Sequence, residues 1–280
     1  MNYVELNNGV KMPNVGIGTF LLQPEDAENS VRAALKMGYR LIDTANAYVN
    51  ERAVGRGIKA SGVPREEIFV STKLWPTEYE NENAIDETLE RLGLDYIDLL
   101  FLHQPGGNYK AGYKQLEKAY KEGKIKAIGV SNFEDEFIED ILNNFEIIPQ
   151  VEQVECHPYF QQDKLREITE PKNIKIMCWY PLGHGDKSLM EEPIITELAS
   201  KYNKSTAQII LKWHTQMGFI VIPGSKNVNH IKDNFDLFDF ELTSEEMKQI
   251  CSLNKNYRYF YPSMEQLKEF AKMPLQYEEE

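Results

Sequence analysis

The sequence predicts an α/β architecture: one (β/α)8 TIM barrel over residues 1–280, with an N-terminal β-hairpin and extra C-terminal helices. Three observations lead there. Eight short runs rich in Val and Ile lack a polar face, as strands covered on both sides do. Segments with helical spacing alternate with them. No Gly-rich linker or composition break divides the 280 residues, and eight is the number of repeats that closes such a barrel. A doubly wound open sheet is the alternative that the same alternation allows.

Along the chain, Tyr3–Leu6 and Val10–Met12 flank Asn7-Asn-Gly9, whose Asn-Gly pair supplies the positive φ of a tight hairpin turn. The eight strand candidates are 15–19, 40–43, 68–72, 96–102, 127–130, 150–155, 175–179 and 218–222. Helices are expected near 25–37, 51–60, 78–91, 110–122, 134–144, 162–170, 193–214 and 228–235. Thr77-x-x-Glu80 reads as a capping box and Pro193 as a first-turn proline. The 193–214 stretch should break near Lys204-Ser205. Thr243-x-x-Glu246 begins one helix more, and the tail from Asn254 reads as aromatic and irregular.

Composition narrows the function classes. Lys plus Arg is 31 against 44 Asp plus Glu, a net charge of −13, which opposes a nucleic-acid or anionic-membrane partner. Three widely spaced cysteines without C-x-x-C support neither a disulfide framework nor a zinc knuckle. Met1–Val10 has no signal-peptide pattern and no apolar run spans a bilayer, so a cytoplasmic monomer acting on a small molecule is expected. Cys156-His157 has no partners at ligand spacing and H-E-x-x-H is absent, so no metal is expected.

Barrel enzymes carry their chemistry at the carboxyl ends of the strands. Asp43, Lys73 and His103 stand at three successive ends, and Tyr48 lies in the loop after the first of them. A phenol is a poor acid near neutrality, with an ordinary pKa of about 10. An ammonium about 4 Å away would favour the phenolate by roughly 4 kcal/mol and draw the tyrosine toward general-acid range. Asp43 would partly neutralise that cation. His103 could then orient a substrate oxygen while a carbonyl is protonated and reduced.

The ordered motifs Gly16-Ile-Gly-Thr19, Asp43-Thr-Ala-x-x-Tyr48-x-Asn-Glu51, Lys73-Leu-Trp75, Leu102-His103-x-Pro105, Gly129-Val-Ser-Asn-Phe133, Gln153-x-Glu-x-His-Pro158, Pro181-Leu-Gly183 and Ile222-Pro-Gly-Ser225 to Asn234 together resemble the aldo-keto reductase family, its bacterial members in particular. The resemblance implies a barrel carrying an extended nicotinamide dinucleotide, NADP(H) or also NAD(H). It implies a tetrad of Asp43, Tyr48, Lys73 and His103 with Tyr48 as proton donor. By the same resemblance Ser131, Asn132 and Gln153 would bind the carboxamide, and Trp179 would stand where a tyrosine usually stacks on the nicotinamide ring. Gly18, Thr19, Leu182 and Gly183 would line the cofactor channel, with Ser225, Lys226, His230 and Asn234 at the adenosine end. Phe20, Trp75 and Gln104 would wall the substrate pocket. The G-x-G-x-x-G fingerprint is incomplete, because position 21 is Leu.

Two departures stand out. The lysine and arginine that usually clamp the 2′-phosphate of NADPH are Gly224 and His230 here, so NADH should be accepted unusually well. Gln104 replaces a frequent tryptophan, which favours small polar or hydroxylated carbonyl compounds. Competing readings are a barrel aldolase forming a Schiff base on Lys73, disfavoured by the adjacent carboxylate, and a non-catalytic cofactor-binding protein on the same fold.

Overall fold

The computed structural model describes residues 2–279. Strands β1 (Tyr3–Glu5) and β2 (Lys11–Pro13) pair antiparallel around a turn in which Gly9 takes φ +83°. Eight parallel strands follow: β3 (Ile17–Gly18), β4 (Leu41–Asp43), β5 (Phe69–Leu74), β6 (Leu99–Leu102), β7 (Ile128–Ser131), β8 (Val151–Glu155), β9 (Lys175–Trp179) and β10 (Ile220–Val221). Each pairs with its successor in the chain. Closure comes from Gly16 N to Val221 O at 2.8 Å, Val221 N to Asn14 O at 3.0 Å, and a parallel bridge between Gly18 and Gly224. Glycine is needed at that bridge. A Cβ on Gly18 would lie 2.8 Å from Ile222 O, and one on Gly224 would lie 2.9 Å from Gly18 O.

The helices are α1 (Pro24–Lys36), α2 (Glu51–Ser61), α3 (Ala84–Leu92), α4 (Tyr109–Lys121), α5 (Glu136–Asn144), α6 (Asp163–Thr169), α7 (Lys187–Met190), α8 (Pro193–Tyr202), α9 (Thr206–Gln216), α10 (Val228–Phe235), α11 (Ser244–Cys251) and α12 (Met264–Phe270). Alternation of buried faces builds two cores. One fills the barrel interior with Leu41, Phe69, Leu99, Phe101, Val151 and Met177, and the hairpin residues Leu6 and Met12 plug its amino end. The other lies between strands and helices, around residues such as Val54, Leu116, Ile141 and Trp213. Among the described residues no helix is long and apolar enough to cross a membrane.

The predicted break in the 193–214 stretch occurs at Ser205, which caps α9 reciprocally with Gln208. Thr243 and Glu246 do the same for α11. The Thr77-x-x-Glu80 box does not form. Pro76 starts a 3-10 turn, Pro76–Glu78, and α3 begins only at Ala84, while Thr77 Oγ1 is buried without a partner. The tail is more ordered than its composition suggests: α12 is capped by Ser263 with Gln266.

Candidate active site

The strands' carboxyl ends open into a cleft of about 690 Å³. Tyr48 reaches it from a 3-10 turn, Asn46–Tyr48, that ends at Val49 in the left-handed region. Two asparagines hold this turn in register. Asn46 Oδ1 accepts from Trp75 N at 3.0 Å, and Asn50 Nδ2 donates to Thr19 O and Leu22 O, both at 2.9 Å. Asp43 ends β4, Lys73 lies in β5 and His103 follows β6. Asp43, Tyr48 and His103 line the cleft, whereas Lys73 is fully buried behind them.

These groups form one network. Lys73 Nζ donates to Asp43 Oδ2 at 2.6 Å and to Thr44 O at 2.8 Å. Asp43 Oδ1 accepts from Ser71 Oγ at 2.8 Å and Gln153 Nε2 at 3.0 Å. The ammonium lies 5.0 Å from the centre of the Tyr48 ring, and the Tyr48 and His103 ring centres are 5.6 Å apart. A second buried acid, Glu51, accepts from Thr72 Oγ1 and Arg91 Nε, each at 2.7 Å.

Electrostatics correct one expectation. Burial, reinforced by the charge of Asp43, holds the Tyr48 phenol well above its ordinary value, so the free site keeps this proton. Lys73 is lowered by burial, opposed by Asp43 and Glu51, and its charge is spent chiefly on the carboxylate it touches. His103 lies well below the usual histidine value because of burial and then Lys73. Its ring is therefore neutral near pH 7, and Nδ1 is buried without a hydrogen-bond partner.

Ser131, Asn132, Gln153 and Trp179 also line the cleft. Asn132 adopts φ +64°; its Nδ2 donates to His103 O at 3.2 Å and its Oδ1 accepts from Trp179 Nε1 at 3.1 Å. Gln153 turns its NH2 toward Asp43 and the Met177 sulfur. Gly18, Leu182 and Ser225 line the same cleft, and five other expected contacts do not. Thr19 is buried and donates to Asp43 O at 3.2 Å. Gly183 is buried against Leu189 and Tyr259. Lys226 is exposed and pairs with Asp26 at 3.4 Å. His230 is exposed on α10, and Asn234 is buried in the same helix.

Phe20, Trp75 and Gln104 all stand in the wall. Trp75 meets the His103 ring edge-on at 5.0 Å and donates to Phe270 O at 2.9 Å. Gln104 is buried with Oε1 unpartnered. Sequence reasoning missed Tyr180, His184, Phe260, Phe270 and Met273, which line the cleft too. Only the aromatic tail hinted at the last three. Glu155 binds that tail, accepting from Tyr259 N at 2.6 Å and Phe260 N at 3.0 Å.

The sequence spacing of cysteines and histidines suggested no metal set, yet folding gathers Cys156, Cys178 and His214 with ligand atoms within 4.8 Å of one another. All three are buried and lie outside the cleft lining. Both ring nitrogens of His214 face carbonyl oxygens, of Ile210 at 2.8 Å and Cys156 at 3.0 Å. A neutral imidazole carries one N–H, so only one of these two contacts can be a hydrogen bond.

Residues 14–255 match the model of the Aldo/keto reductase family. The chain is 47% identical over 260 residues to glyoxal reductase of Bacillus subtilis, covering 91% of this chain and 94% of that protein. It is 46% identical over 263 residues to 9,11-endoperoxide prostaglandin H2 reductase of Trypanosoma cruzi, covering 92% and 93%. Among solved structures, MGS-M4, an aldo-keto reductase enzyme from a Medee basin deep-sea metagenome library, superposes with a TM-score of 0.89 at 43% identity, covering 93% of this chain and 97% of that one. The (β/α)8 barrel, the cleft at its carboxyl rim and these likenesses agree: the chain belongs to the aldo/keto reductase family and is an oxidoreductase.

Proposed function

We propose that this enzyme reduces small aldehydes and ketones to alcohols with a nicotinamide dinucleotide, Tyr48 giving the proton to the carbonyl oxygen. The observation that carries the proposal is the Lys73–Asp43 pair at 2.6 Å, directly behind a phenol and an imidazole that both line one cleft. A dinucleotide fits the residues present. Trp179 is half-buried along the cleft, and Ser131, Asn132 and Gln153 offer amide and hydroxyl groups beside it. Those three would hold the carboxamide, Trp179 the ring, and Leu182 with Ser225 the remainder. When bound, the dinucleotide supplies the hydride.

The chain's own groups do the rest. Neutral His103 can donate one N–H to the substrate oxygen and fix its direction toward Tyr48. The phenol holds its proton until an oxygen of rising negative charge lies against it. Lys73 then stabilises the developing phenolate, and Asp43 keeps the lysine in position. Phe20, Trp75, Phe260 and Phe270 give the pocket an apolar wall, with Gln104 a polar residue among them. This pocket suits short carbonyl and dicarbonyl compounds with one polar substituent.

The test is oxidation of NADH or NADPH across a panel of aldehydes, ketones and dicarbonyls. Tyr48→Phe should lose roughly 100-fold or more in kcat while its cofactor Kd stays within about threefold. Retained turnover removes Tyr48 from the donor role. Cofactor binding with no turnover on any carbonyl supports a non-catalytic reading instead.

A further inference from the structure

We propose that Glu51 is a positioning residue for the proton transfer assigned to Tyr48: it ties the turn that carries the phenol to the strand that carries Lys73, and it gives that lysine a second carboxylate. The inference deepens the carbonyl-reduction reading above, and its kinetic half rests on that reading. Glu51 opens α2, three residues after Tyr48, so both side chains hang on one short piece of chain. A carboxylate suits the first turn of a helix, where the backbone N–H groups point. This one is buried instead of facing water, at 2% exposure.

Both of its oxygens are engaged. Oε1 accepts from Thr72 Oγ1 and Oε2 from Arg91 Nε, each at 2.7 Å. Thr72 directly precedes Lys73 in β5, and neighbours on a strand point to opposite faces. Lys73 turns toward Asp43, with the Phe101 ring of the barrel interior 6.0 Å from its ammonium. Thr72 reaches the other way, to Glu51 at the start of α2. This one hydrogen bond therefore sets the turn of the phenol against the strand of the cation. Arg91, on α3, also donates to Thr88 Oγ1 at 2.9 Å, and the Tyr277 ring of the tail covers its guanidinium at 4.1 Å.

Charges so little screened by solvent act on one another beyond contact distance. The ionisable groups facing Lys73 are Asp43 of β4, Tyr48 of the 3-10 turn, His103 after β6 and Glu51 of α2. Burial lowers the lysine, and Asp43 followed by Glu51 opposes that loss. Burial in turn raises Glu51, against Arg91, Thr72 and Lys73. Asp43 divides its charge among Lys73, Ser71 and Gln153, which gives the second carboxylate its part in keeping the ammonium protonated.

NMR on protein carrying isotope-labelled lysine, with Lys73→Met marking the resonance, reads the ionisation of Lys73 without substrate or cofactor. Glu51→Gln keeps an acceptor for Thr72 but no charge, and should move that ionisation down by roughly one pH unit. Glu51→Gln combined with Arg91→Met removes the cation left unpaired, which protects folding, and should shift Lys73 in the same direction. In steady-state kinetics with NADH and a carbonyl, the alkaline fall of kcat should move down with it. At a pH where the wild type still holds its plateau, the double variant should be about tenfold slower, with KM within about threefold. The raised Tyr48 loses its proton later, so the lysine limits first. An unmoved Lys73 ionisation in the double variant overturns the inference whatever the turnover, and a shifted ionisation with an unmoved kcat profile overturns the role in proton transfer. No turnover of any carbonyl by the wild type overturns the reduction reading itself, an outcome the NMR titration keeps separate.

Discussion

Lys73→Met should separate what the buried ion pair does for folding from what it does for turnover. At 2.6 Å and an effective dielectric near 20, the attraction between Lys73 and Asp43 is about 6 kcal/mol. Much of that is offset by desolvating both ions. Removing the lysine leaves Asp43 charged and 2% exposed, held only by Ser71 and Gln153. Breaking a buried pair from one side destabilises by about 3–5 kcal/mol, which lowers Tm by roughly 10 °C in a chain this long. With no cation behind Tyr48, kcat should fall roughly 100-fold or more. Asp43→Asn combined with Lys73→Met removes the stranded charge, so most of the stability should return while turnover stays low. Thermal unfolding and steady-state kinetics on the two variants give both readings. Unchanged melting and turnover in the single variant, or full turnover in the double one, would refute the reasoning.

Two further outcomes follow from the same charges. At saturating cofactor, kcat for reduction should be flat between about pH 6 and 8. The raised phenol is protonated throughout that window and loses its proton only above its ordinary value; the lowered imidazole is already neutral. An ionisation near pH 6.5 that disappears in His103→Gln would contradict this. On the proposed reading Lys226 lies at the adenosine end and is already paired with Asp26, so kcat/KM should not favour NADPH by as much as a thousandfold over NADH. His230→Arg should raise kcat/KM with NADPH roughly tenfold and leave NADH unchanged.

Most barrel strands were legible because burial on both faces leaves short apolar runs, as in β4, β6 and β7, whereas β5 and β8 bury polar side chains among their apolar ones. That Asp43, Lys73 and His103 share one rim, with Tyr48 in the loop after the first of them, was legible because strand ends are fixed points of such a fold. Contacts made across the chain were not. The Trp75–Phe270 hydrogen bond spans 195 positions, and nothing local in either segment marks it. Helix α12 was read as irregular because its apolar face is short and its cap, Ser263 with Gln266, sits in an aromatic stretch without periodicity. Thr77 misled in the other direction: the cap pattern is present, but Pro76 diverts the backbone first. Cys156, Cys178 and His214 come from three separate segments, so no spacing rule joins them.

The two chain ends meet opposite mouths of the barrel. Leu6 and Met12 seal the amino mouth, far from any chemistry. At the other mouth Glu278 accepts from Ala53 N at 2.9 Å and from Arg56 at 2.6 Å, tethering the residues just beyond Met273 to the first turn of α2. A fusion partner or purification handle on the amino side therefore sits at the mouth opposite the cleft. Added after residue 280, it pulls on a segment that doubles as pocket wall, and kinetic constants from such material would describe the handle as much as the enzyme.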